Sequence, residues 1–460
     1  MRMTAAEIAG AVGGALIGDG SVVVTGAEID SRRLRGGDLF VALAGARSDG
    51  HDHLDGALAR AVAALVRADL ELAPPPSGRA LIRVDDPLTA YHDLARRERA
   101  RRRWEVVAVT GSVAKTTTKD LLAALIGRHR ATGASEGNRN STLGLPAQLL
   151  SQGDEIEVFV AEAGMSRAGE LTALGEMLRP TRLLYTRIAA VHTEFFDDGL
   201  AGVVRAKAEL LPYLDPQGVL VVNGADPNQR SFADQVSAKV VRYGTPDAEM
   251  RIEDLEDRGL LGSRFQLVLA GGRAEIDLPL AGRHQSENLL AAAACAATLG
   301  MTAGEVAAIA PNLESAPRRG RVHRMDGGVT LVDDSYNASP EAVIRALELL
   351  ARAPGRRIAV LGEMCELGPG SAEAHRKVGW LAVAACDQLI AVGADDAAEL
   401  AAGAAAGGLG AASIHRAADA DDAATLVRRL IETGDVVLVK GSRGVGLDRT
   451  VDRLLERDGA

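Results

Sequence analysis

Val106-Val107-Ala108-Val109-Thr110-Gly111-Ser112-Val113-Ala114-Lys115-Thr116-Thr117-Thr118 reads as a buried strand, a glycine turn and the first turn of a helix. The run Val106–Thr110 suits a strand covered on both faces. Beyond the turn, Leu121, Leu122, Leu125 and Ile126 fall on one helical face. Strand, glycine turn and helix N-terminus together are the setting of a phosphate loop. Backbone N–H groups there point at an anion, and the helix dipole favours it. On this reading Thr110, Gly111, Ser112, Val113, Ala114, Lys115, Thr116 and Thr117 bind ATP. Lys115 offers a point charge to the β and γ phosphates, and the Thr116 hydroxyl ligates Mg²⁺. Taken by itself, Lys-Thr after a strand also suits an ordinary helix N-terminus. The general motif asks for glycine where this chain has Val109 and Ala114. A methyl group at 114 is tolerated if φ there is negative.

Working outward, apolar strands are predicted at 156–161, 181–188 and 218–223, alternating with helices. That alternation indicates a parallel α/β sheet and defines a central ATP-binding unit over 85–316. Upstream, residues 39–43 and 80–84 read as strands and 54–66 as a helix, with Pro74-Pro75-Pro76 in a loop. Asp86-Pro87 opens a helix that runs to about Arg103. Downstream of Pro317-Arg318-Arg319-Gly320, strands at 329–333, 357–361, 388–392 and 435–439 make a second doubly wound sheet. The Ala/Gly tract 396–412 reads as a helix end and loop. The expected fold is α/β in three domains: 1–84, 85–316 and a Rossmann-like 317–460.

A chain of 460 residues with 47% hydrophobic and 25% charged residues has room for several cores. Its net charge of −10 argues against a nucleic-acid partner. The basic run Arg96 to Arg103 reads as the solvated face of a helix. Three scattered cysteines, no signal-peptide core and no bilayer-length apolar run make a cytoplasmic enzyme without a membrane span the expectation.

Further motifs extend the reading along the chain. They are Asp30-Ser31-Arg32 with Asp38-Leu39-Phe40-Val41-Ala42-Leu43, Gly137-Asn138-Arg139-Asn140-Ser141, Val160-Ala161-Glu162-Ala163-Gly164, Ala190-Val191-His192 and Ala206-Lys207-Ala208-Glu209. Gly282-Arg283-His284-Gln285-Ser286-Glu287-Asn288, Asp333-Asp334-Ser335-Tyr336-Asn337-Ala338-Ser339-Pro340 and Val439-Lys440-Gly441-Ser442-Arg443 follow. In content and order they resemble the Mur ligases. In that family the loop has the form Thr-Gly-x-x-Gly-Lys-Thr, so Ala114 alone departs from it.

The resemblance implies roles. Ser31 and Arg32 would hold the UDP end of the substrate, and Asn138, Asn140 and Ser141 would line the muramoyl-peptide site. Glu162 ends a parallel strand, where ligands collect, and a carboxylate suits Mg²⁺; the family assigns it to the metal. His192 is placed by resemblance at a second metal, although imidazole is an unusual ligand for Mg²⁺. Lys207 shares a helical face with Val203, Leu211 and Leu214. A bland reading is a long stem snorkelling to solvent. The family reading is a lysine of lowered pKa that takes up CO₂ and, as a carbamate, ligates a metal. Asn288 would lie near the nucleotide, Tyr336 and Asn337 at the adenine, Asp333 or Asp334 at the ribose, and Arg321 near the γ-phosphate. Lys115, Lys207, His192 and Glu162 form the expected catalytic set.

The implied activity is an ATP- and Mg²⁺-dependent amide ligation through an acyl phosphate. The implied partners are UDP-N-acetylmuramoyl-tripeptide and D-alanyl-D-alanine, used by a monomer. Relatives that add the third amino acid carry Asp-Asn-Pro-Arg, which does not occur here. Two rivals are a sibling ligase using another amine and a nucleotide-binding pseudoenzyme, which Ala114 favours.

Overall fold

The computed structural model describes residues 1–45 and 48–456; the last four residues of the expected third domain lie outside them. Its centre is a six-stranded parallel sheet. In spatial order the strands are Lys239–Tyr243, Val219–Asn223, Arg182–Tyr185, Glu105–Thr110, Val158–Glu162 and Thr132–Ala134. Val106 to Val109 are fully buried, which fits a strand with helices on both faces. Full burial of each valine in this run contributes roughly 1.5–3 kcal/mol.

The first sheet has five strands, Ala15–Gly18, Ala80–Val84, Ala63–Arg67, Asp38–Val41 and Gly26–Glu28, with only the first pair antiparallel. The predicted helix 54–66 is corrected. The helix covers only Leu54–Leu58, and Ala63–Arg67 is a strand buried between two neighbours. The helix Pro87–Arg101 follows, capped by the Asp86 side chain on the Leu88 N–H. Its arginines are more than a solvated face. Arg99 donates to the carbonyls of Leu178 and Arg179, and Arg102 pairs with the buried Glu98.

The third sheet has strand order Arg321–Arg324, Thr330–Asp333, Val436–Lys440, Arg357–Gly362, Gln388–Val392 and Ile414–Ala417. Arg321–Arg324 is its antiparallel edge. The four expected strands are the inner ones, and both edges were unforeseen. The Ala/Gly tract is mostly helix, Asp395–Ala406. Also unforeseen is an antiparallel sheet of Arg251–Asp257, Ser263–Leu269 and Gly272–Leu278, which packs beside the helix His284–Ala297. No helix among the described residues is long and apolar enough to cross a membrane.

Candidate active site

In the central sheet the chain leaves Glu105–Thr110 toward one edge and leaves Val158–Glu162 toward the other. The crevice between the carboxyl ends of these two strands is where ligands bind in open α/β sheets. The Thr110 hydroxyl donates to the Ala163 carbonyl across it at 2.8 Å. Gly111 has φ +143°, and a Cβ there would fall 2.1 Å from the Thr186 hydroxyl oxygen. This position therefore demands glycine. The Ser112 N–H donates to the Arg187 carbonyl at 2.7 Å, and its hydroxyl to the Ala189 carbonyl at 2.9 Å. These bonds hold the loop open, with the helix Lys115–Ile126 starting beneath it.

Ala114 sits at the helix N-cap with φ +66° and ψ +7°. The condition of a negative φ is thus not met: the left-handed conformation is kept without glycine. For an L-residue this costs about 1–2 kcal/mol. Ala114→Gly is expected to raise the melting temperature and to leave ATP affinity unchanged or higher, as read by thermal melts and nucleotide titration. A large loss of affinity would mean that the methyl group contributes to the site.

Thr116 donates to one Glu162 oxygen at 2.6 Å, and Asn140 Nδ2 donates to the other at 2.6 Å. The Glu162 N–H is held by the Ser135 hydroxyl at 2.9 Å. A hydroxyl and a carboxylate are hard oxygen donors of the kind Mg²⁺ takes. No group of three or more His, Cys, Asp or Glu converges on a metal position among the described residues. That donor set fits an ion that keeps waters and phosphates as its other ligands. Lys115 Nζ donates to the Ser112 carbonyl at 3.1 Å. Burial lowers its pKa, with Glu162 opposing the shift and Arg319 adding to it.

A cavity of about 380 Å³ gathers these groups. Ser112, Ala114, Lys115, Thr116 and Glu162 line one wall, and Asn138, Asn140 and Ser141 another. Tyr336, Asn337, Glu366 and Arg443, from the carboxyl-end loops of the third sheet, close the far side. A second cavity, of about 490 Å³, lies across Val113 and Ala114 and holds Asn288, whose amide donates to Gln285 at 3.0 Å. The expected nucleotide set is therefore divided. Both cavities adjoin the phosphate loop at Ala114: Tyr336 and Asn337 line one, and Asn288, with Asn223, Tyr243, Arg251 and Arg345, lines the other. Thr110, Gly111 and Thr117 line neither.

Arg321, Asp333 and Asp334 line neither of these cavities. Arg321 lies exposed on the edge strand, opposite Asp333. The arginine at the phosphate loop is Arg319, which donates to the Thr116 hydroxyl at 3.0 Å. Its guanidinium stacks 4.0 Å from the Tyr336 ring centroid, with Arg443 at 6.0 Å. The acidic pair is also engaged internally. Asp333 is buried against Arg318 at 3.2 Å and accepts from the Ser335 hydroxyl, and Asp334 pairs with Lys440 at 2.7 Å.

His192 lines the first cavity in a left-handed conformation, φ +64°. Its Nδ1 lies against the Glu366 carboxylate, and that contact lowers the Glu366 pKa. In this structure His192 thus contacts a carboxylate contributed by the third sheet. Lys207 is 1% exposed, which removes the snorkelling reading. Its ammonium has no hydrogen bond or ion pair among the described residues. Burial holds its pKa well below the lysine range, and the Lys115 charge lowers it further. Ser31 and Arg32 follow the strand Gly26–Glu28 at the first sheet's edge, where Arg32 is bound bidentately by Asp30.

Arg319, Glu170 and Glu366 also line the first cavity, and sequence reasoning gave none of them a site role. The Pro-Arg-Arg-Gly-Arg stretch held a signal for the first, but three arginines in four positions are not separable by pattern.

Two doubly wound sheets facing one another across a phosphate loop define an ATP-using enzyme built from separate units. Family models match in three segments: the Mur ligase family catalytic domain over 23–99, the Mur ligase middle domain over 109–296, and the Mur ligase glutamate ligase domain over 318–443. The chain is 32% identical to the UDP-N-acetylmuramoyl-tripeptide–D-alanyl-D-alanine ligase of Escherichia coli K12, over 99% of both chains. It is 31% identical to the enzyme of the same description from Bacillus subtilis 168, over 94% of both. The chain belongs to the Mur ligase family. Among solved structures it is similar to MurF from Acinetobacter baumannii, with TM-score 0.88 and 26% identity over 99% of both chains. It is also similar to the MurF ligase of Thermotoga maritima in complex with ADP, with TM-score 0.80 and 28% identity over 94% of this chain and 97% of that one.

Proposed function

We propose that this chain joins D-alanyl-D-alanine to UDP-N-acetylmuramoyl-tripeptide at the expense of ATP, in the assembly of peptidoglycan precursors in the cytoplasm. The observation that carries this reading is the single cavity in which the phosphate loop, the 138–141 loop and the third sheet's loops converge. The amine and the acceptor are taken from the relatives of the same length. The proposed division of labour is residues 1–84 for the UDP end, 85–316 for ATP and 317–460 for closure and the incoming amine.

A carboxylate does not react with an amine until it carries a leaving group. In the proposed sequence the tripeptide's terminal carboxylate oxygen attacks the γ-phosphorus of ATP, and the β–γ bridging bond breaks to release ADP. The amine of D-alanyl-D-alanine then attacks the acyl phosphate carbon, loses a proton, and inorganic phosphate departs with the C–O bond electrons. Transfer of this kind needs positioning and charge neutralisation more than covalent help from the protein. Lys115 and the helix N-terminus face the phosphates, and Arg319 brings a second cation from the third sheet's side. Thr116, Glu162 and, after carbamylation, Lys207 are the groups that would hold Mg²⁺, with His192 beside them. The ion would neutralise phosphate charge. Closure of the units keeps water from the acyl phosphate.

Phosphate release from ATP should require both UDP-N-acetylmuramoyl-tripeptide and D-alanyl-D-alanine, with a product heavier by one dipeptide. Release only with the shorter UDP-linked dipeptide and a single amino acid would assign a sibling activity. Nucleotide binding without release under any combination would make the chain a pseudoenzyme.

A further inference from the structure

Glu28 ends the strand Gly26–Glu28 and is 6% exposed. A carboxylate is not buried without partners. Its Oε1 accepts the N–H groups of Ile29 at 2.9 Å and Asp30 at 3.2 Å, fixing the turn that leads to Ser31 and Arg32. The same oxygen accepts Arg139 Nη2 at 2.8 Å, from a loop 111 residues away in the central unit. Among the described residues, Arg33, at 3.7 Å, is the one other cation paired with it.

Arg139 lines neither cavity, yet its neighbour Asn140 holds Glu162 at 2.6 Å. The Asn140 carbonyl accepts the Gly164 N–H at 2.8 Å, and a Cβ on Gly164 would fall 2.7 Å from the Asn140 side chain. Asn140 is therefore packed without slack, and a shift at Arg139 is passed to Glu162. Glu162 in turn holds Thr116, and Thr116 holds Arg319.

We infer that Glu28 and Arg139 are a positioning pair that ties the UDP-binding turn to the loop aiming Asn140 at Glu162. Binding of the UDP end is thereby coupled to alignment of the phosphate-loop carboxylate. The inference rests on the functional reading above. It concerns an ion pair between two units, and it gives Arg139, at a position otherwise read only as part of a polar loop, a specific task.

The test is steady-state kinetics of full-length Glu28→Gln, Arg139→Gln, Arg139→Lys and the double variant Glu28→Gln/Arg139→Gln. Glutamine keeps the acceptor for the Ile29 and Asp30 N–H groups, so the turn survives, as thermal melts will register. Either single change to glutamine should raise KM for UDP-N-acetylmuramoyl-tripeptide by about tenfold or more. KM for ATP should stay within about twofold while kcat falls by about tenfold as Glu162 loses its alignment, and Arg139→Lys should recover part of both losses. The double variant should be no worse than the poorer single, since one change already breaks the pair. Additive losses, an equal rise in KM for ATP, or an unchanged KM for the UDP substrate would overturn the inference. If the wild type releases no phosphate, the functional reading fails instead. Calorimetric titration of UDP alone then decides on the pair: weaker binding to Arg139→Gln supports it, and equal affinity overturns it.

Discussion

Lys207→Ala is expected to lower kcat for ligation by about 10³-fold or more, with part of the activity restored by added acetate or formate. The side chain sits where an ammonium is poorly tolerated. It is 1% exposed near the end of the helix Leu200–Ala208, which stops short of Leu211 and Leu214, has no hydrogen bond or ion pair among the described residues, and lies within the field of Lys115. Both burial and that neighbouring cation favour the neutral amine, which is the form that attacks CO₂. The resulting carbamate is an anion with oxygen donors, and it would turn an unfavourable repulsion toward Lys115 into an attraction. A small carboxylic acid in the space vacated by Lys207→Ala supplies the same charge and oxygens. Rescue by acetate but not by methylamine, in phosphate-release assays, identifies the missing group as an anion. Full activity of Lys207→Ala without additives would eliminate the carbamate.

Arg319→Ala is expected to lower kcat by about 10²–10³-fold, whereas Arg321→Ala should change it by less than about threefold. The two residues are two positions apart on opposite sides of a turn at Gly320, φ +73°. That turn sends Arg319 toward Thr116 and leaves Arg321 on an exposed edge strand. Arg319 is also braced against the Tyr336 ring, so it presents its guanidinium with little rotamer freedom left to lose. Arg319→Lys should not restore the activity, because an ammonium lacks the planar fork that stacks and donates at once. The converse pattern, with Arg321→Ala severe and Arg319→Ala mild, would show that the turn rearranges when nucleotide binds.

Much of the architecture was legible because its carriers are periodic. The central strand, the helix behind the phosphate loop and the four inner strands of the third sheet are long apolar runs punctuated by glycine and proline. The segment 54–66 misled because an alanine-rich apolar run reads alike as a buried strand or a helix, and only pairing with Asp38–Val41 and Ala80–Val84 decides it. The strands 251–278 were overlooked although Ser263–Leu269 alternates buried and less buried residues along its length. The site was legible as a set of loops, less so as a set of contacts. Asp333 and Asp334 look like free carboxylates in the sequence. Their partners Arg318 and Lys440 are contributed by other segments, which no local pattern reveals. The sign of φ at Ala114 was likewise invisible, since a helix N-cap is reached from either side of the Ramachandran map.

The bond between Thr116 and Arg319 spans 203 residues. Synthesis runs from the N-terminus, and domains fold as they emerge. A nascent chain thus completes its phosphate loop well before Arg319, Tyr336 and Arg443 leave the ribosome. During that interval it holds a nucleotide pocket that lacks its second cation and its far wall. Phosphoryl transfer that depends on Arg319 is therefore expected only once the last third of the chain has emerged.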